Sequence, residues 1–148
     1  MSRAPRLGFT LIELLVVISV IAVLAAVVTP MVFRNIGDAK QAAAKTQLGI
    51  FDLALDAYRL DNDYYPSTAQ GLAALVARPA GAPTARNWRG PYLKRGVPLD
   101  PWGRPYLYRS PVVLPNVEYE VLSLGRDGAT GGSGDDADVA LGGTGAPR

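Results

Sequence analysis

Gly8-Phe9-Thr10-Leu11-Ile12-Glu13-Leu14 opens the stretch that decides the fold, because the twenty residues 14–33 that follow Glu13 carry no charge at all. As a helix that run extends about 30 Å, the thickness of a bilayer's hydrocarbon core. Ser19 and Thr29 are its polar interruptions, and both can hydrogen-bond back to the helix backbone. Arg3 and Arg6 precede it, with no acidic residue before Glu13. The positive-inside rule therefore puts the start of the chain in the cytoplasm and everything after Arg34 across the membrane. A secretory signal peptide is the alternative reading, with Val23-Leu24-Ala25 as its cleavage site. Against it, the apolar stretch exceeds the usual length and its pattern continues unbroken into a helix. Glu13 is the odd residue, since an ionised group at bilayer depth costs roughly 2.5–3.5 kcal/mol and needs a partner or a task. Position alone also allows it to lie at the membrane edge and reach the headgroups.

Outward from this block, the helical period continues. Leu48, Phe51, Leu55 and Tyr58 fall at helical spacing with Asp52, Asp56 and Arg59 between them, and Ile50, Leu53 and Ala57 widen the stripe. This predicts one helix from about Phe9 to about Leu60, with Pro30 and Gly37 as points of kinking or local melting. Ser67 and Gln70 have the spacing of a capping box and predict a short helix over 68–77. Pro79 and Pro83 end it and open a loop to about Gly90. Residues 104–109 and 117–122 alternate as half-buried strands, joined by the turn-rich 110–116. The fold class is thus α+β, with the boundaries 1–8 leader, 9–33 membrane helix and 34–148 globular head.

Composition removes several function classes. Of 148 residues, 49% are apolar and 19% charged, yet the apolar ones are concentrated near the amino terminus while eight glycines fall in the last twenty-four residues. The chain has no Cys and no His. No disulfide can staple the small head, the usual general base is missing, and no Gly-x-Ser-x-Gly motif marks a nucleophile. A membrane-anchored periplasmic enzyme is disfavoured on these grounds. The net charge of +2 with scattered basic residues gives no footprint for nucleic acid.

The stretch from Gly8 to Leu14 with its basic leader resembles the amino-terminal signature of type IV pilins and pseudopilins. That resemblance implies cleavage between Gly8 and Phe9 by a prepilin peptidase, N-methylation of Phe9, and a role for Glu13, the fifth residue of the mature chain, in pairing with a neighbouring subunit's amino terminus. Such a pair would make a buried carboxylate tolerable and set the register of a filament. The family also carries a Pro at the place of Pro30. Further along, Tyr65-Pro66-Ser67-Thr68 with Gln70-Gly71-Leu72, Leu99-Asp100-Pro101-Trp102-Gly103, and Ser123-Leu124-Gly125-Arg126-Asp127-Gly128 resemble the major pseudopilins of type II secretion systems, over about residues 6–140. The turn at Pro101 and Gly103 is expected to bury Trp102 between loop and helix.

The acidic, glycine-rich end reads two ways from composition: a flexible solvated tail, or a loop whose oxygens converge on one hard cation. Oxygen donors without His or Cys suit Ca²⁺. An EF-hand is excluded, because Ala129 and Gly131 occupy positions that need Asp or Asn, and residues 131–136 mimic only one turn of a calcium β-roll. The family resemblance implies a structural Ca²⁺ held by the Leu124 carbonyl, Asp127 and two of Asp135, Asp136 and Asp138, with Asp136 and Asp138 the first choices, the ion serving as a staple in place of a disulfide.

Taken together, the resemblance implies a structural subunit of a helical periplasmic filament, the pseudopilus, which drives folded proteins across the outer membrane. The subunit is expected to start as a single-pass protein of the inner membrane. Its implied partners are further copies of itself, the prepilin peptidase and methyltransferase, minor pseudopilins and the inner-membrane assembly platform with its ATPase. A type IV pilin forming surface fibres is the alternative.

Overall fold

The computed structural model describes residues 9–111 and 118–141, with the backbone alone for 30–34. The expected leader 1–8, most of the turn 110–116 and the terminal residues 142–148 lie outside the described residues. The chain divides into two compact units at Ile36 and Gly37.

The first element, α1, runs Leu11–Asn62, two residues inside and two beyond the expected limits, and is helical through both Pro30 and Gly37. Thr10 caps it: the Glu13 backbone N–H donates to Thr10 Oγ1 at 3.2 Å. Within Leu11–Thr29 the side chains are exposed on every face, and the segment is long and apolar enough to cross a membrane. Ser19 Oγ donates to the Leu15 carbonyl and Thr29 Oγ1 to the Ala25 carbonyl, each at 2.7 Å, so neither hydroxyl is left bare in an apolar setting.

In the second unit the same helix becomes amphipathic. Ala44, Leu48, Phe51, Ala54, Leu55 and Tyr58 form its buried stripe. The expected widening fails at Ile50 and Leu53, which are 46% and 72% exposed. The reason is angular: at about 100° per residue, positions 50 and 53 turn away from the seam through 48, 51, 55 and 58, and Ala44 and Ala54 complete it instead. Phe51 meets Tyr106 edge-on at 5.0 Å, and Tyr58 meets Tyr92 at 5.7 Å. Burial pushes the Tyr58 and Tyr106 phenols up to about 12, so both rings stay neutral at physiological pH.

The capping box forms in both directions, Ser67 N–H to Gln70 Oε1 at 3.0 Å and Gln70 N–H to Ser67 Oγ at 3.3 Å. The expected short helix over 68–77 forms in part, as a 3-10 helix over Leu72–Leu75, because Gly71 takes φ 59 and ψ −169 and keeps residues 68–71 in a separate turn. Beyond it, the loop is fastened by Trp88 Nε1 to the Ala74 carbonyl and by the Tyr92 and Leu93 N–H groups to the Leu75 carbonyl.

The sheet has three strands in the order β1-β2-β3, all antiparallel: β1 Leu107–Arg109, β2 Glu120–Ser123 and β3 Val139–Leu141. The first two lie within or beside the expected strands. The third was not expected, since Val-Ala-Leu between an acidic and a glycine segment carries no usable alternation, and only its pairing with β2 makes it a strand.

At residues 99–103 the structure corrects the expected anchor. Trp102 is only partly buried, whereas Asp100 is 5% exposed. Its Oδ1 accepts the backbone N–H groups of Trp102 at 3.0 Å and Arg104 at 2.8 Å, and its Oδ2 accepts Ser123 Oγ–H at 2.6 Å. One carboxylate thus ties the turn to β2. Asp100→Ala leaves three donors without an acceptor, the buried Ser123 hydroxyl and two part-buried N–H groups, and is expected to cost about 2–4 kcal/mol, with Asp100→Asn costing less. Urea midpoints followed by tryptophan fluorescence on the detergent-solubilised chain measure it; an unchanged midpoint for Asp100→Ala would refute the role.

Candidate functional site

Two places carry the residues singled out from the sequence. At the amino-terminal end, Phe9 directly precedes the cap Thr10, and Glu13 stands three residues into the sequence beyond that cap, in the first turn of α1. Gly8 lies outside the described residues. Thr10-x-x-Glu13 has the spacing of a capping box, a local reading of Glu13 that the apolar surroundings hide in sequence. A carboxylate in the first turn also opposes the positive end of the helix dipole. Phe9 is 83% exposed and Glu13 is exposed too, so both are presented at the start of an apolar rod rather than packed into it.

The second place is the loop between β2 and β3. The ladder ends at the pair Ser123–Val139, so Leu124 and Asp138 are the next residues out on facing strands. The Leu124 carbonyl accepts the Gly128 N–H at 3.1 Å, which folds residues 124–128 into a turn and places Asp127 within it. Asp127 Oδ1 accepts the Ala129 N–H at 3.0 Å. Asp138 Oδ2 accepts the Gly131 N–H at 2.9 Å, while its Oδ1 is buried with no partner.

Asp135 and Asp136 are differently engaged. Arg126 Nε and Nη2 donate to the two oxygens of Asp136 at 2.8 and 3.1 Å, and Arg126 Nη1 lies 3.7 Å from Asp135 Oδ2. The Asp136 hydrogen bonds raise the guanidinium's pKa above its ordinary value. Among the described residues no three acidic side chains gather around one point suited to a metal ion. The fold therefore divides the four sequence-selected carboxylates, giving Asp135 and Asp136 to an internal cation and leaving Asp127 and Asp138 with backbone N–H partners.

Several residues that hold this loop carried no signal in sequence. Gln41 Nε2 on α1 donates to the Gly134 carbonyl at 2.7 Å, and Arg104 donates to the carbonyls of Gly125 and Arg126 at 2.6 and 2.8 Å. Gly37, expected as a weak point of the helix, has a packing role: a Cβ there would fall 1.9 Å from Asp135 Oδ1. Gly125 at φ +62 and Gly132 at φ +81 likewise sit where a Cβ would strike the backbone of Asp136. Arg126 alone was legible, as a lone basic residue among acidic ones.

The chain matches known proteins over most of its length. The family model for type II secretion system protein G matches residues 31–142, and that for the prokaryotic N-terminal methylation motif matches residues 3–29. The type II secretion system core protein G of Pseudomonas aeruginosa is 46% identical over 140 residues, covering 94% of this chain and 96% of that protein. Its counterpart in Vibrio cholerae is 45% identical, covering 89% and 88%. In three dimensions, the crystal structure of the major pseudopilin from the type 2 secretion system of enterohaemorrhagic Escherichia coli matches with a TM-score of 0.59 at 36% identity, covering 70% of this chain and 86% of that one. These likenesses favour a subunit of the type II pseudopilus over a pilin of surface fibres, and an exposed apolar helix leading into a small head is the form such a subunit needs. The chain belongs to the type II secretion system protein G family, the major pseudopilins.

Proposed function

We propose that the chain is made as a precursor with its amino terminus in the cytoplasm and its head in the periplasm, cut between Gly8 and Phe9 and N-methylated on Phe9. It then leaves the inner membrane to become the repeating unit of a helical periplasmic filament. The observation that carries this reading is the methylation motif over residues 3–29, which takes in the apolar helical segment Leu11–Thr29. Prepilin peptidase, the assembly platform and the minor pseudopilins are the partners this path requires. Identical subunits added by a rotation that does not close give a filament. In its apolar centre, Glu13 faces an environment in which a lone carboxylate is costly, and a neighbour's amino terminus at Phe9 supplies the compensating charge.

The head is proposed to hold a structural Ca²⁺ between β2 and β3. The buried, unpartnered Asp138 Oδ1 supports the reading, with Asp127 and the Leu124 carbonyl at the same end of the sheet. All are hard oxygen donors of the kind Ca²⁺ accepts, and carbonyls can make up the number that two carboxylates leave short. When bound, the ion supplies positive charge that joins the two sides of the loop.

Three measurements test these statements. Intact-mass analysis of the membrane-extracted protein should show loss of residues 1–8 and a gain of one methylene; a mass retaining the leader, or one ending near Ala25, would refute the processing. Glu13→Ala should insert and be cleaved normally but fail to assemble, because the neighbour's ammonium is then left unpaired at a cost of a few kcal/mol; normal filaments and secretion from that strain would make Glu13 a residue of the membrane edge. For the metal, a ligand at a hundred times its dissociation constant adds about 2.7 kcal/mol, on the order of 10 °C in melting temperature for a head of this size. Full-length protein in detergent should melt higher by that amount in excess Ca²⁺ than in EDTA, and Asp127→Ala should abolish the difference. Superimposed wild-type curves would show a loop that needs no ion.

A further inference from the structure

We infer that Arg126 is a built-in counter-cation of the loop between β2 and β3, one that holds Asp135 and Asp136 out of the metal's donor set, closes the loop in the metal-free chain and sets how tightly Ca²⁺ is held. The inference rests on the calcium reading above and goes beyond it by assigning an opposing charge to a residue whose side chain bonds neither Asp127 nor Asp138.

The geometry places Arg126 where two chain segments meet. Its backbone N–H donates to the Asp135 carbonyl at 3.0 Å, and its side chain forks onto both oxygens of Asp136. The close approaches of Gly125 and Gly132 to the Asp136 backbone show that these segments are in contact, which sets Asp135 and Asp136 close to the turn that carries Asp127. The single positive charge of the guanidinium is shared between Asp136 and, at 3.7 Å, Asp135. Without it their mutual repulsion would push residues 134–137 away from Gln41 and Gly37, on which that segment is seated.

The same charge acts on the metal with the opposite sign. A guanidinium held beside the turn that carries Asp127 lowers the local negative potential that attracts a divalent cation. Removing it should tighten Ca²⁺ binding by roughly three- to tenfold at low salt, with the gain shrinking as salt rises. Linkage then fixes the stability pattern. Whatever tightens Ca²⁺ binding to the folded chain must be matched by a smaller mutational penalty when Ca²⁺ is present.

The test compares full-length wild type, Arg126→Gln and Arg126→Lys in detergent, by calcium chloride titration calorimetry and by melting in EDTA and in saturating Ca²⁺. Arg126→Gln keeps the backbone bond to Asp135 and loses the charge. It should melt roughly 2–5 °C lower than wild type in EDTA, recover most or all of that deficit in Ca²⁺, and bind Ca²⁺ more tightly. Arg126→Lys keeps the charge and should retain wild-type affinity to within about twofold. Wild type that binds Ca²⁺ while Arg126→Gln has the same affinity, or a deficit of the same size in both buffers, would overturn the inference and leave the calcium reading standing. Wild type that gives no calcium heat would overturn the calcium reading itself, and with it the exchange of cations proposed here.

Discussion

The buried stripe of α1 from Ala44 to Tyr58 is the surface on which the rest of the head is built. Every other described element is short, with strands of three or four residues and 3-10 turns of three or four. Elements of that size are not stable alone and hold their shape only against a larger apolar face. The stripe supplies that face with Leu48, Phe51, Leu55 and Tyr58, all essentially without exposure, and the aromatic rings of Tyr92 and Tyr106 close on it from the loop side. The stripe belongs to the same helix as the apolar segment Leu11–Thr29, which is long and apolar enough to cross a membrane.

A head with so little regular structure and no disulfide needs other fastenings. Most of those described are side chains bonded to backbone. Asp100 gathers the turn at 100–104 and reaches β2 through Ser123. Thr68 and Ser110 exchange bonds between the segment after α1 and the end of β1. Tyr108 donates to the Pro66 carbonyl at 2.7 Å, Tyr119 donates to Asp52, and Arg104 and Gln41 grip the loop between β2 and β3. Each replaces a hydration bond with an internal one, so each adds little net free energy, but at the buried bonds of Tyr108 and Ser123 its loss strands a buried partner. This is how a loop-rich head holds one arrangement.

The amino-terminal end follows a different logic. Phe9, Glu13 and the apolar segment have no packing role in the head, and their exposed placement has its physical sense in surroundings other than water. The heptapeptide from Gly8 to Leu14 was therefore the most informative part of the sequence.

How much was legible depends on the range of the forces involved. The membrane segment, the long helix and its main seam could be read directly, because charge absence and helical period are local properties of consecutive residues. The family could be read from short motifs at the expected order and spacing. The third strand, the late start of the short helix after Gly71 and the exchange of Trp102 for Asp100 as the anchor could not. Each depends on a partner distant in sequence or on a backbone angle that a residue name only permits. The acidic loop shows the division most plainly. Composition placed four carboxylates near one another, but only the tertiary structure brought Arg126 onto two of them and left Asp138 with a buried, unpartnered oxygen, because side-chain pairing is decided by where the folded backbone aims each group.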